Sequence, residues 1–197
     1  MAWKYRHITG VLLVNDKKGN NDEKSLSQFD GKPLIQHISE TLQEIFEKVI
    51  IISDFPEKYQ FLKLPIYPEI LKNCDPLGAI HSALINVDTE EVFIISSDIP
   101  FIRKDIINYV LKKENGADIS VMATEGNVHP CCGLYKSSCI LPIAMNYTRG
   151  FVSMQSLLDQ VSIQEITPDA AMQQMVTYAL GNVNPPRINS TLVSLAG

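Results

Sequence analysis

The polar residues best placed for chemistry follow two apolar segments, at points where buried strands are predicted to end. The first group is basic apart from one glycine and consists of Lys17, Lys18, Gly19 and Lys24. The second is a single carboxylate, Asp98, which comes directly after the residues Val-Phe-Ile-Ile-Ser-Ser. Ammonium groups beside a carboxylate suit a nucleoside triphosphate with its divalent cation, because lysines neutralise phosphate charge and carboxylate oxygens bind Mg²⁺.

Asp98 is open to a chemical and a structural interpretation. Burying an unpaired carboxylate after so apolar a strand costs free energy, unless a metal ion or hydrogen-bond donors compensate the charge. A magnesium ion would compensate it. Alternatively, Asp98 caps a helix near Pro100 or bonds within its own turn, since Asp-x-Pro sequences are common in such roles. The spacing alone favours this structural alternative.

Lys24 has a similar pair of interpretations. A lysine that follows a phosphate-binding loop could neutralise the charge that develops on transferring phosphates. Without further context, a lysine in the polar sequence Asp-Glu-Lys-Ser is more often a solvated surface residue. The residue type and its position therefore leave the structural interpretation of Lys24 ahead.

The elements that must position these residues alternate regularly. The predicted strands are 8–14, 48–53, 64–67, 92–98 and 118–123, and the predicted helices are 33–46, 76–87 and 103–113. The strands are continuous apolar runs, which indicates a parallel sheet that is buried on both faces. This pattern predicts the α/β class, with a three-layer α/β/α, Rossmann-like, mostly parallel sheet. Such sheets bind ligands outside the carboxyl ends of their strands, where Lys17 and Asp98 are expected.

The last third of the chain is less regular, but it has no linker, repeat or low-complexity run. It contains a predicted antiparallel strand at 129–135, helices at 138–147 and 153–160, and a short edge strand at 161–166. We therefore predict that residues 1–197 form one domain.

Composition excludes several classes of function. The net charge is −5 and no cluster of Lys and Arg resembles the footprint of a nucleic-acid-binding protein, so we expect no nucleic acid partner. Neither a signal peptide nor a membrane-spanning run is visible, and we expect a cytoplasmic protein without a membrane partner. The spacing of the four cysteines does not match that of a metal site, and we expect them to be small buried apolar residues. The adjacent Cys131 and Cys132 would point to opposite faces of a strand and could not easily bridge.

Read together, these segments resemble the molybdenum cofactor guanylyltransferase family, also called molybdopterin-guanine dinucleotide biosynthesis protein A. The resemblance covers nearly the whole chain, and its order and spacing are more specific than any single motif. The matching pieces are the strand 8–14, the loop to Lys24, Asp30-Gly31-Lys32-Pro33-Leu34-Ile35, Pro76-Leu77-Gly78, Ser97-Asp98-Ile99-Pro100-Phe101, His129-Pro130 and Asn182-Val183-Asn184-Pro185. The resemblance implies a fold of the nucleotide-diphospho-sugar transferase type in a single nucleotidyltransferase-like domain.

The resemblance also implies a reaction. The GMP part of GTP would be joined to the terminal phosphate of molybdopterin, with release of pyrophosphate and a requirement for Mg²⁺. Asp98 matches the metal-binding aspartate of the family, and Lys24 matches the lysine that contacts the phosphates. Both are therefore the expected catalytic residues. Beyond GTP and molybdopterin, the expected partners are other molybdenum cofactor biosynthesis proteins or the enzymes that accept the cofactor.

By the same resemblance, further positions are expected to contact the substrates. The expected nucleotide-binding residues are Leu13, Asn15, Lys17, Lys18, Gly19, Lys24, Glu69, Pro76, Leu77 and Gly78, and the expected substrate-binding residues are His129, Asn182 and Asn184. Glu69 stands where the family usually has an aspartate that recognises guanine. A carboxylate there can accept from both the N1–H and the amino group of guanine, a donor pair that adenine lacks. For His129, a hydrogen-bonded structural role is an equal alternative.

The chain departs from the family pattern in the phosphate loop. Asn15 and Asp16 replace paired glycines, although glycine allows backbone N–H groups to approach phosphate closely and adopts positive φ without strain. Asp16 also adds negative charge beside a triphosphate, while Asn tolerates left-handed conformations. Asp75 and Ala79 stand where the family favours glycine around Pro-Leu-x-Gly. These replacements predict an altered phosphate loop and guanine pocket.

The departures keep alternative functions open. One is a catalytically weakened or inactive relative that acts as a nucleotide-binding or molybdopterin-binding protein. Another is an enzyme that uses CTP, since related enzymes share the fold. A sugar-phosphate nucleotidyltransferase would usually have a longer chain, with room for a sugar-binding region.

Overall fold

The computed structural model of the chain describes residues 4–14, 24–124 and 127–181. The strands in these ranges are β1 (Tyr5–Leu13), β2 (Gln28–Phe29), β3 (Lys32–Pro33), β4 (Phe46–Ile52), β5 (Ile66–Tyr67), β6 (Glu91–Ser96), β7 (Ile119–Thr124), β8 (Asn127–Lys136) and β9 (Ile163–Ile166). The α-helices are α1 (Leu34–Ile45), α2 (Pro56–Tyr59), α3 (Leu77–Ile85), α4 (Lys104–Lys113), α5 (Ile140–Thr148), α6 (Met154–Leu158) and α7 (Ala170–Leu180).

The main sheet has seven strands in the order β5-β4-β1-β6-β8-β7-β9. The pairs β5-β4, β4-β1, β1-β6 and β7-β9 are parallel, whereas β8 runs antiparallel to both of its neighbours. This arrangement confirms the predicted α/β class with a mostly parallel sheet. The predictions that the segment around residues 129–135 is antiparallel and that β9 lies at the sheet edge are also confirmed.

Two apolar clusters cover the faces of the sheet. Ile8 and Leu12 of β1 belong to one cluster, while Val11 and Leu13 belong to the other. Buried residues of α1, α4 and α7 contribute to the first cluster, and buried residues of α3, α5 and α6 contribute to the second. Because successive strand residues face opposite layers, both must be apolar, which explains the continuous apolar runs of the sequence.

Three of the four cysteines are buried, as the sequence predicted, whereas Cys131 is half-buried. Cys132 lies in the first cluster and Cys131 packs against the second, so these neighbours face opposite sides of the sheet. All four described cysteines are free thiols. Burial raises the pKa of Cys132 and Cys139 to about 12, which keeps both neutral.

The structure differs from the predictions mainly at element ends and in one helix. Strand β6 ends at Ser96 rather than at Asp98, and α7 was not predicted. Helix α7 begins after Asp169, whose side chain accepts hydrogen bonds from the N–H groups of Ala171 and Met172. None of the helices in the described residues has the length and apolarity that a membrane crossing requires.

Candidate functional site

The carboxyl ends of four parallel strands lie side by side and define the candidate site. The amide of Ser97, after β6, donates to the carbonyl of Leu13 at 2.8 Å. The amide of Val14, after β1, donates to Ile52 at 3.0 Å, and the amide of Ser53, after β4, donates to Tyr67 at 3.0 Å. The loops that follow β1, β4, β5 and β6 therefore leave the sheet at one edge, which is where ligands of such sheets bind.

Asp98 is an exposed carboxylate at this edge. Its backbone amide donates to Ser96 Oγ at 3.2 Å, and the Ser96 hydroxyl lies 3.3 Å from its Oδ2 atom. The expectation that Asp98 is buried and needs charge compensation is wrong, because β6 ends two residues earlier and the turn carries the side chain into solvent. The Ser96 contacts match the predicted turn interaction, and the exposed oxygens remain accessible to a ligand.

Glu69 lies in the loop after β5, beside the start of α3. Its amide donates to Asp54 Oδ1 at 3.0 Å, which ties this loop to the end of β4. The Oε1 atom is buried and has no hydrogen-bond partner among the described residues. The carboxyl group therefore has one oxygen turned into the protein, and the residue as a whole is only half-buried.

The beginning of α3 supports Glu69 through Gly78. A Cβ atom on residue 78 would lie under 3.0 Å from both Glu69 Oε1 and the carbonyl oxygen of Leu71, which real side chains essentially never do. The Asp75–Pro76 peptide bond is cis, and Leu77 is buried in the second apolar cluster. Of the expected nucleotide-binding residues in this segment, Gly78 lies against Glu69, whereas the Leu77 side chain belongs to the core.

The surroundings of Glu69 are acidic. Burial raises the pKa of Glu69 to about 7, and the negative charges of Asp75 and Asp54 contribute to this increase. The positive charge of Lys72 opposes it. However, Lys72 Nζ is already engaged with both carboxylate oxygens of Asp54 at 2.5 Å. Glu69 is consequently a carboxyl group that titrates near neutral pH.

Asp75 and Asp98 act on a common neighbour, Cys131 in β8. Burial raises the pKa of the Cys131 thiol to about 12, and the charges of Asp98 and Asp75 both contribute. Cys132 of β8 pairs with Ile95 near the end of β6, so the first half of β8 reaches the same edge of the sheet as the loop that carries Asp98. Two residues before Cys131, His129 Nε2 lies 2.5 Å from Thr124 Oγ1, and burial lowers the pKa of His129.

Several predicted site residues lie outside the described residues. They are Asn15, Lys17, Lys18, Gly19, Asn182 and Asn184. Lys24 begins a short 3-10 turn that ends at Leu26, and its side chain is also outside the described atoms. On the C-terminal side, Tyr178 near the end of α7 contacts Phe101, with ring centroids 5.4 Å apart. The end of α7 is thereby placed beside the loop that carries Asp98.

One carboxylate at this edge, Asp54, is not singled out by the sequence analysis. Asp54 follows β4, and the argument from strand ends that identified Asp98 applies equally to it. Asp75, which the sequence marks as a replacement of the family's glycine, raises the pKa of Glu69 through its negative charge, an effect that only the packing of the two loops reveals. Within the described ranges, no three His, Cys, Asp or Glu side chains are grouped so as to hold a metal ion.

Two surface depressions of about 780 and 740 Å³ lie away from these residues. Both are lined by Lys4 and Gln43, and the larger also contacts Lys48 and Asp88, which form an ion pair at 2.6 Å. Neither contains Asp98 or Glu69. The candidate site is therefore identified by the residue types at the carboxyl ends of the strands and not by the volume of these depressions.

The chain is similar in sequence and in fold to known proteins. A family model described as a MobA-like NTP transferase domain matches residues 18–164. A Flavobacterium johnsoniae protein named "Probable molybdenum cofactor guanylyltransferase" is 31% identical over 180 residues, which is 90% of this chain and 92% of that protein. A solved structure from Aquifex aeolicus has a TM-score of 0.74 at 24% identity and covers 89% of this chain and 92% of its own. Molybdopterin-guanine dinucleotide biosynthesis protein A from Archaeoglobus fulgidus has a TM-score of 0.72 at 15% identity, with coverage of 91% and 93%.

Proposed function

This chain belongs to the MobA-like NTP transferase family, and we propose that it transfers the GMP part of GTP to the terminal phosphate of molybdopterin. An oxygen of that phosphate would form a bond to the α-phosphorus of GTP while the bond to the β-phosphate breaks and pyrophosphate leaves. The observation that carries this proposal is the arrangement of two carboxylates with different surroundings at one sheet edge. Glu69 is turned towards Gly78, and Asp98 faces solvent.

Glu69 is the group that we propose reads the base. An ionised carboxylate accepts from both the N1–H and the 2-amino group of guanine, whereas cytosine and adenine present an acceptor beside a single amino group. Gly78 supports this role because any larger residue would displace the Glu69 carboxyl group. Asp54 holds the backbone of Glu69 through its 3.0 Å hydrogen bond and so orients the loop.

Asp98 is the residue that we propose binds Mg²⁺. Its exposed carboxylate is a hard oxygen donor, and Mg²⁺ in phosphate-transfer sites is commonly held by one or two carboxylates together with substrate phosphates and water. Asp98 alone therefore fits the requirement without a preformed cluster of protein ligands. When bound, the ion would neutralise charge on the triphosphate.

Phosphate and acceptor contacts complete the proposal. Lys24 would neutralise the charge of the phosphates, and Lys17, Lys18 and Gly19 precede it in the same loop. His129, Asn182 and Asn184 are the proposed contacts to molybdopterin. The position of His129 in the first half of β8, which pairs with the end of β6 that precedes Asp98, supports its assignment.

A second candidate function is a nucleotide-binding or molybdopterin-binding protein that transfers GMP slowly or not at all. The sequence of the phosphate loop favours it, since Asn15 and Asp16 replace glycines whose backbone would approach the phosphates. The two candidates share the base site and differ in turnover. Binding and transfer therefore have to be measured separately.

Nucleotide titration tests the proposed site directly. The purified protein would be titrated with GTP, CTP and ATP, each with and without Mg²⁺, and the series repeated with Asp98→Asn. We expect selective GTP binding that Mg²⁺ strengthens, and loss of that Mg²⁺ effect in the variant. Failure of all three nucleotides to bind would refute the transferase and the nucleotide-binding alternative, and would leave only a molybdopterin-binding protein. A Mg²⁺ effect that survives Asp98→Asn unchanged would refute the role of Asp98 alone.

A further inference from the structure

The buried oxygen of Glu69 sits in a space that favours a neutral carboxyl group. Oε1 faces Gly78 and the carbonyl oxygen of Leu71, and neither offers it a hydrogen bond. The amide of Gly78 already donates to the carbonyl of Cys74 at 3.1 Å. An ionised carboxylate in this place lacks donors on its inner side, whereas a protonated carboxyl group carries a donor that can face the nearby carbonyl.

The charges around Glu69 act in the same direction. Asp54 approaches from the end of β4, and Asp75 and the neutral thiol of Cys74 lie in the turn before α3. Lys72 is the cation that reduces their effect, and its ammonium group is shared with Asp54. The first turn of α3, Leu77 to Ile80, contains no ionisable side chain. Among the described residues, the charged and polar groups that act on Glu69 are thus negative or neutral, apart from Lys72.

We propose that recognition of guanine by Glu69 is coupled to the release of a proton, so that the preference of the site for GTP increases as the pH rises. This inference rests on the proposed function and adds a property of the same site. The ionised form accepts both donors of guanine. The protonated form has its proton turned towards the Leu71 carbonyl and offers the base only a neutral oxygen, to which hydrogen bonds from guanine are weaker than to the ionised form. The protonation state of one residue therefore sets the base preference.

The expected change of GTP affinity with pH follows from the pKa of Glu69. The pKa of Glu69 near 7 means that the ionised fraction increases about tenfold between about pH 6 and about pH 8. If only the ionised form binds guanine, the affinity for GTP increases by the same factor. The triphosphate group also titrates in this range, but it does so equally for GTP and CTP. The ratio of the two affinities therefore isolates the contribution of the base.

The experiment measures the affinities of the full-length protein for Mg-GTP and Mg-CTP across this pH range. For the wild type we expect the ratio of GTP to CTP affinity to rise about tenfold or more. In Glu69→Gln, which has an amide in place of the carboxyl group, we expect a low ratio that does not change with pH. In Asp75→Asn, loss of a negative neighbour should move the rise to lower pH. Calorimetry in buffers of different ionisation enthalpy should detect proton release with GTP and not with CTP.

The outcomes separate this inference from the proposed function. Selective GTP binding with a ratio that is flat across the pH range in the wild type would overturn the coupling and leave the guanylyltransferase proposal standing. A rise in the ratio that persists in Glu69→Gln would overturn it as well, because another group would then be responsible. Absence of GTP binding at every pH would refute both.

Discussion

The side chain of Glu69 fills the space beside Gly78 that a side chain on residue 78 would need. The carboxylate oxygen Oε1 lies closer than 3.0 Å to the position that a Cβ atom on residue 78 would take. Nine positions separate the two residues in the chain, and the loop after β5 folds back against the start of α3 to bring them together. The carboxylate that we propose reads the base thus fits against the start of α3, which gives the first prediction.

Replacing Gly78 by alanine should destabilise the protein and weaken GTP binding. Alanine gains up to about 1 kcal/mol in helix propensity, but the new methyl group overlaps Oε1 of Glu69 and the backbone oxygen of Leu71. Overpacking of this kind costs about 1 to 3 kcal/mol, which urea denaturation can measure. The control is Gly78→Ala in a Glu69→Ala background, where the loss should be smaller. Equal losses in both backgrounds would contradict the contact.

Stability should depend on pH through Glu69. The pKa of Glu69 is higher in the folded than in the unfolded protein, so its protonation stabilises the fold. This contribution to stability is fully present below the unfolded value of 4.5 and is lost as the pH rises through about 7. The wild type should therefore lose stability relative to Glu69→Gln between about pH 5 and about pH 8. Allowing for the partial exposure of this side chain, we expect a change of about 1 to 2 kcal/mol. A constant difference between the two proteins across this range would show that the carboxyl group is not strained by its acidic neighbours.

His81 should produce the opposite dependence. This residue of α3 is 7% exposed, its Nδ1 atom has no partner among the described residues, and burial lowers its pKa. Protonation is then disfavoured in the folded state, so stability should fall as the pH drops below the unfolded value of 6.5. In His81→Leu, the decrease in melting temperature between about pH 7 and about pH 5 should be shallower. An unchanged slope would locate the acid sensitivity in other residues.

Asp118 should act as a structural anchor away from the site. Its Oδ1 atom accepts from Ser138 at 2.5 Å, and its Oδ2 atom accepts from the amide and hydroxyl of Ser162 at 2.8 and 2.6 Å. These bonds lower the pKa of Asp118 to about 2, so the ionised carboxylate stabilises the fold. This contribution to stability is present above the unfolded pKa of 3.8 and is lost as the pH falls through about 2. Because Asp118 is only half-buried, Asp118→Ala should cost about 1 to 2 kcal/mol near neutral pH. Asp159→Ala, which removes only a contact with Gln155, should cost less than about 0.5 kcal/mol.

The sequence predicts the central layer well because each inner strand is buried on both faces. Strands such as β1 and β6 therefore have no polar alternation that could be mistaken for another element. Helix α7 carries a readable signal that we missed, namely Asp169 as the cap before apolar residues at helical spacing. These apolar residues are Met172, Met175, Val176 and Ala179.

The environment of the site is harder to read from sequence. The solvent exposure of Asp98 depends on where β6 stops pairing, which the apolar run does not mark. The pKa of Glu69 depends on Asp54 and Asp75, which approach from two other loops. Residue identity and strand order can place a carboxylate at the sheet edge. Its protonation depends on distant groups that the fold brings together.

Transfer of the nucleotide tests the central proposal most directly. The purified protein would be incubated with GTP, Mg²⁺ and molybdopterin, and both pyrophosphate and the guanine dinucleotide product would be measured. We predict that pyrophosphate appears only when molybdopterin is present, faster with GTP than with CTP or ATP, and at least about 100-fold more slowly in Asp98→Asn. Tight GTP binding without pyrophosphate or product would contradict the proposed transferase and identify the chain as a binding protein.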